Sequence, residues 1–161
     1  MLSLRNATWL AFLLPTALLG GALISQYGFG LYPCEMCMWQ RWPHLAAIIL
    51  ALPALMLRPK AWSMPLVVAA ALAILTSGLI GGFHAGVEYH WWEGFTSCST
   101  NLAAGGDMLD SIMNAPLIRC DVAQWTLFGI SLAGFNFLLS VGGAILILLM
   151  VATGRKDADH G

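Results

Sequence analysis

Apolar positions along this chain gather into four long runs separated by short polar breaks. They extend from about residue 7 to 27, 39 to 57, 64 to 83 and 127 to 153. Each is close to the ~20 mostly apolar residues that a membrane-crossing helix needs. None carries Asp, Glu or Lys in its middle. Backbone groups in lipid must bond within their own segment, so helices are the expected form. Pro15 and Pro53 fall inside spans, where neighbouring helices can absorb a kink. Pro43 falls in the first turn or so of the second span, where a missing donor is harmless. The run after Arg5 is too long for the core of a cleaved signal peptide, and three further spans follow it. The pattern predicts an all-α integral membrane protein: one domain, residues 1–161, built as a four-transmembrane-helix bundle. Its two outer loops would cover about residues 28–38 and 84–126.

Composition strengthens this reading. The 161 residues are 59% hydrophobic and 9% charged, against about 45–50% and 25% in soluble domains. A soluble fold of this length could not hide so much apolar surface. A net charge of −1 gives nucleic acid nothing to bind, so no such partner is expected.

The basic residues orient the bundle. Arg5 precedes the first span, Arg58 and Lys60 sit between the second and third, and Arg155 and Lys156 follow the fourth. If the spans alternate, these five of the seven Lys and Arg share one side, which predicts that side, and both termini, to be cytoplasmic. Tryptophans mark the borders: Trp39, Trp42, Trp91, Trp92 and Trp125 at the outer one, Trp9 and Trp62 near the inner one. The tail RKDADHG reads as a solvated end.

This orientation places all four cysteines outside. Cys34 and Cys37 fall in the first outer loop, Cys98 and Cys120 in the second. An oxidising compartment is where disulfides persist. A Cys-x-x-Cys pair tends to be exchangeable, and exchange proceeds through a thiolate favoured by a helix N-terminus or a nearby cation. Cys37 lies near the start of the second helix, and Arg41 four residues on shares its face if the helix already runs through Cys37. Arg41 also suits the role of an interfacial anchor. The second pair brackets NLAAGGDMLDSIMNAPLIR, in which Met108, Leu109, Ile112 and Met113 share one helical face behind Asp107. A short amphipathic helix on the membrane surface is expected there. Cys98 and Cys120 read equally well as a redox pair or as a plain structural bridge.

Other polar residues stand out. His84, Glu88 and His90 cluster where the third helix leaves the bilayer, as ligands, proton carriers or ordinary interfacial residues. Asn136, mid-span, suits a hydrogen bond between helices. Glu35 between the cysteines would oppose a thiolate, and the sequence offers no reason for it. C-E-M-C-M also has the thiolate and thioether ligands that suit Cu(I), so a soft-metal binding membrane protein is the alternative reading.

CEMCMWQRWP, GGFHAGVEYHWWEG, the lone Cys98 and APLIRCDVAQWTLFGISLAGFN together resemble the bacterial disulfide bond formation protein B (DsbB) family over nearly the whole chain. The related vitamin K epoxide reductases carry their Cys-x-x-Cys pair late in the chain; here it comes first. The resemblance implies a multi-pass inner-membrane protein-dithiol:quinone oxidoreductase. It would reoxidise a periplasmic thioredoxin-fold oxidase of the DsbA type and pass the electrons to a membrane quinone, ubiquinone or menaquinone. By that likeness Cys98 forms the mixed disulfide with the partner, Cys120 is its mate, and Cys34 and Cys37 are the quinone-proximal pair. Cys37 would meet the quinone as a thiolate with Arg41 as its counter-charge. A disulfide between the two loops, Cys34 to Cys120, would be an intermediate that frees Cys37. Gln40 stands where some members have an acid, which puts a proton role there in doubt. The family's histidine at the outer end of the third helix falls on His90, with Tyr89 as the other choice. The border position of CEMC then has a reason: one substrate is in water and the other in lipid.

Overall fold

A computed structural model describes residues 4–56, 63–94, 99–100 and 117–159. Among these, four long helices dominate: α1 (Leu4–Phe29), α2 (Glu35–Met56), α3 (Ser63–Glu88) and α4 (Leu132–Asp159). Two short antiparallel ribbons join them on the cysteine-bearing side. Strand β1 (Ser99–Thr100) pairs with β2 (Leu117–Ile118), and β3 (Thr126–Leu127) pairs with β4 (Ile130–Ser131). Helix α3 packs against both α2 and α4, and α1 closes the bundle against α2 and α4.

Which residues are inside identifies the solvent. Ala7, Ala11, Ala47, Ala51, Ala54, Ala70, Ala71 and Ala144 are buried, with Val67, Ile74 and Ile147. Leu13, Ile24, Ile49, Leu72, Leu79, Leu138, Ile145 and Leu149 are exposed. Small residues inside and large apolar ones outside is the arrangement of helices packed in lipid, where backbones approach closely and leucine gains nothing from burial. The α3–α4 contact is one instance. A Cβ on Gly78 would lie 2.9 Å from Val141 Cγ2 and 3.1 Å from Val141 N, and one on Gly82 would lie 2.7 Å from the Phe137 ring. Thr16 and Thr76 are satisfied within their own helices, each donating to the carbonyl four residues back.

Helices Leu4–Phe29 and Ser63–Glu88 and the stretch Leu132–Gly154 are long and apolar enough to cross a membrane. Helix α2 is not among these spans, because its first turns carry Glu35, Gln40, Arg41 and His44. The expected surface helix at 107–113 lies outside the described residues.

Three boundaries differ from the sequence expectation, and each bears on the site. Helix α2 starts at Glu35 rather than near Trp39, because Cys34 caps it: Cys37 N–H donates to Cys34 Sγ at 3.2 Å and Met38 N–H to Cys34 O at 3.1 Å. Helix α3 runs on to Glu88 and ends in a Schellman cap. Trp91 N–H donates to Gly86 O at 2.8 Å, His90 N–H to Val87 O at 3.0 Å, and His90 takes the left-handed position at φ 58°. Helix α4 starts at Leu132 rather than near Leu127, because the preceding residues fold into the β3–β4 hairpin around Phe128 and Gly129, both at positive φ. Ser131 then caps α4, its Oγ accepting from Gly134 N–H at 3.1 Å.

Candidate active site

The site grows out of the α2 cap. Pro33 leads into Cys34, and capping brings its sulfur to 2.8 Å from Cys37 Sγ. Cys34, Cys37 and Cys120 are free thiols, Cys34 and Cys120 being buried. Both members of the pair precede Trp39, where the sequence pattern starts its second apolar run. The hydrogen bond from Cys34 lowers the Cys37 thiol below its ordinary value; burial opposes this, and Arg41 assists it. The same hydrogen bond, with burial, pushes Cys34 up. A proton is therefore held more firmly on Cys34, and Cys37 is the more readily ionised of the two. The exposed Glu35 sits in the first turn of α2, where a negative charge suits the helix dipole.

Arg41 lies one turn beyond Cys37 and reaches across to α1. It donates to Gln26 Oε1 at 2.5 Å and to Ala22 O at 3.3 Å. These bonds hold a permanent cation at the edge of a cavity of about 270 Å³. One wall is apolar, from Ala17, Leu18, Gly21 and Ala22 of α1; the other presents Cys37, Arg41, His44 and His84.

Behind the cysteines runs a buried polar network. His84, 2% exposed, has Nε2 3.5 Å from Cys34 Sγ and 3.7 Å from Glu88 Oε1. Its Nδ1 lies 2.9 Å from Gln40 Nε2. Gln40 Oε1 accepts from Asn136 Nδ2 at 2.8 Å, and Asn136 Oδ1 lies 2.9 Å from His44 Nε2. Ser77 Oγ donates to Gln40 O at 2.7 Å, and Ser140 Oγ to Asn136 Oδ1 at 2.8 Å. Asn136, near the start of α4, thus bonds that helix to α2 and α3, the interhelical role expected of it.

Cys120 completes the constellation. It packs with Cys34, Met36 and Val87. The ligand atoms of Cys34, His84 and Cys120 lie within 4.8 Å of one another. Arg119 beside it pairs with Asp121, donating from Nε to Oδ1 at 2.9 Å. Cys98 lies outside the described residues.

The structure thus brings together Cys34, Cys37, Cys120, Gln40 and Arg41. It leaves His90 out: that residue is exposed, caps α3 and is not among the cavity's lining residues. The histidine beside the sulfurs is His84, six residues earlier, with Glu88 one turn beyond it. The i,i+4 spacing of His84 and Glu88 was the available signal, but it needed α3 to extend to Glu88. His44 drew no notice in the sequence; its spacing of seven from Cys37 and three from Arg41 was the signal.

Residues 4–150 match the family model for the disulfide bond formation protein DsbB. The chain belongs to the DsbB family. Among DsbB relatives, the disulfide bond formation protein B of Verminephrobacter eiseniae is 30% identical over 96% of this chain and 89% of its own length. That of Acidovorax sp. is 27% identical over 88% of each chain. An uncharacterized protein of Rickettsia prowazekii is 26% identical over 81% of this chain and 77% of its own. No solved structure gives a significant match. As a DsbB-family protein the chain is a multi-pass membrane oxidoreductase of disulfide bond formation, a protein-dithiol:quinone oxidoreductase. Family membership favours this chemistry over Cu(I) binding. The thioethers of C-E-M-C-M serve elsewhere: Met36 is buried in packing, and Met38 is exposed with Sδ 3.7 Å from Arg41.

Proposed function

We propose that this chain reoxidises a DsbA-like thioredoxin-fold partner in the periplasm and delivers the two electrons to a quinone at the α1–α2 cavity. The observation that carries the reading is the position of Cys34, 2.8 Å from Cys37 on one side and grouped with Cys120 on the other. One sulfur in contact with both can pass a disulfide between them.

The exchange starts with both cysteine pairs oxidised. The partner's thiolate attacks Cys98, and the mixed disulfide resolves to an oxidised partner with Cys98 and Cys120 reduced. Cys120 attacks Cys34, forming Cys34–Cys120 and releasing Cys37 as a thiolate. Cys98 then attacks Cys120, restoring Cys98–Cys120 and leaving Cys34 and Cys37 as a dithiol. A quinone held in the cavity would supply an acceptor for the two electrons and two protons that the Cys34–Cys37 dithiol gives up in returning to its disulfide. The residues present suit such a ring: a thiolate at Cys37, the Arg41 cation, a polar wall from α2 and an apolar one from α1. Arg41 would stabilise negative charge at Cys37 and offer its donors to a ring held in the cavity. Gln40 holds the His84 ring, and His84 rather than His90 acts beside Cys34.

In this reading α2 is the fourth span. Its exposed Leu45, Ile49, Leu52 and Met56 form a lipid-type face like those of its neighbours. The basic residues and tryptophans support an inner-membrane orientation with both termini cytoplasmic and the cysteines periplasmic. The test is Cys37→Ser. It should abolish quinone reduction while a mixed disulfide between Cys98 and a reduced partner still forms. Retention of quinone reduction by this variant would refute the assignment.

A further inference from the structure

The polar network has a fixed direction, set by two backbone carbonyls. A carbonyl oxygen can only accept. Met36 O lies 3.1 Å from one end of the Gln40 amide, so that end is the nitrogen. Ser77 O lies 3.2 Å from one end of the Asn136 amide, so that end is also the nitrogen. The two assignments are independent, and they agree where the side chains meet: Asn136 Nδ2 donates to Gln40 Oε1. Asn136 therefore turns Oδ1 to His44, and His44 Nε2 must carry the hydrogen. In a neutral ring Nδ1 is then a bare acceptor. His44 is 3% exposed, and its Nδ1 is a buried polar atom with no hydrogen-bond partner among the described residues. A buried acceptor left unmatched is costly. His44 also lines the cavity, on the helix face that carries Cys37 and Arg41.

We infer that His44 Nδ1 accepts a hydrogen bond from a hydroxyl of the reduced, quinol form of the cavity's ligand. The inference rests on the proposed quinone chemistry and adds a residue and a preference to it. A quinone has two acceptor oxygens and no donor; its quinol has two hydroxyl donors. Arg41, with donors only, matches the oxidised ring. His44, with an acceptor only at Nδ1, matches the reduced one. The electrons and protons balance without His44: the Cys34–Cys37 dithiol gives up two electrons and two protons in becoming a disulfide, and the ring takes up the same. His44 contributes product recognition, so the site favours the direction in which the thiols are oxidised.

The test uses binding pairs that cannot exchange electrons: decylubiquinol with the fully reduced protein, and decylubiquinone with the fully oxidised protein. The variant is His44→Phe, which keeps a planar ring and removes the Nδ1 acceptor, while Ser140 Oγ still donates to Asn136 Oδ1. The expected result is about a tenfold loss of quinol affinity, the scale of one hydrogen bond, with quinone affinity changed less than twofold. Unchanged quinol affinity, or equal losses for both ligands, would overturn the inference and leave the quinone reading standing. Failure of the wild-type protein to bind either ligand would instead remove the quinone reading, and this inference with it. A second measurement needs no variant. With ¹⁵N-histidine labelling, the unprotonated His44 Nδ1 resonance should shift on adding quinol to the reduced protein. If His44 instead carries its proton on Nδ1, the inference fails.

Discussion

At the scale of single residues, the asymmetry of the Cys34–Cys37 pair decides the chemistry. Cys37 is held below, and Cys34 above, the ordinary thiol value of 9.0. Deprotonation grows with pH, so a lowered value moves the thiolate population to lower pH. Alkylation of Cys37 in the reduced protein should therefore stay fast as pH falls below 9.0, while Cys34 reacts only at higher pH. Mass-spectrometric rates across pH check this; coincident profiles for the two thiols would contradict it. Arg41 makes its own contribution. Arg41→Met should raise the apparent KM for quinone about tenfold, equivalent to about 1.4 kcal/mol, and slow turnover as Cys37 loses its counter-charge. Normal affinity and rate would mean that Arg41 is only a strut to Gln26 and Ala22. That Cys37 and Arg41 share one face of α2 was legible from spacing alone, because i,i+4 neighbours lie on one side of a helix; that Arg41 turns its donors to Gln26 and Ala22 was not. His84 was legible only as one of three candidates with Glu88 and His90, because its place depends on where α3 ends; His44 was not, because its place depends on which face of α2 meets α4.

At the scale of elements, the site depends on how closely α3 approaches its neighbours. A Cβ on Gly81 would lie 3.0 Å from Ala133 O and Asn136 Nδ2, and 3.1 Å from Gln40 Oε1. Gly81→Ala should therefore displace the amide network. The expected cost is about 1–3 kcal/mol of stability, with weaker quinone binding. Gly142→Ala is the control, because nothing lies within 4 Å of a Cβ there. Thermal unfolding of the two variants, with quinone titration, checks the contrast; equal behaviour would mean that close approach at Gly81 is not a constraint. The helices themselves were legible because long apolar runs have few alternatives in lipid. Their ends were not, because they depend on caps. Cys34 caps α2 with its sulfur, His90 closes α3 through its backbone, and Tyr89 straps the β3–β4 hairpin by accepting from Ser131 N–H and donating to Gly129 O, both at 2.9 Å. A cysteine cap and a left-handed histidine are weak signals beside Ser, Asp or Gly.

At the scale of the molecule, the bundle is built inside out relative to a soluble protein, and this is why composition alone revealed its class. Alanines fill its interior and leucines cover its surface. Such a body can place a dithiol where lipid and water meet. The cavity lined by all four helices reaches Cys37, and Cys34 lies beside Cys37 and within 4.8 Å of Cys120. The central claim is that electrons cross this border from a protein dithiol to a quinone. The most direct measurement mixes the purified, detergent-solubilised protein with a reduced thioredoxin-fold oxidase and a short-chain quinone, and follows partner thiols and quinol together. The account predicts one quinol formed per partner disulfide, with no turnover when quinone is omitted. Partner oxidation at the same rate without quinone, or quinone left oxidised while partner disulfides accumulate, would contradict it.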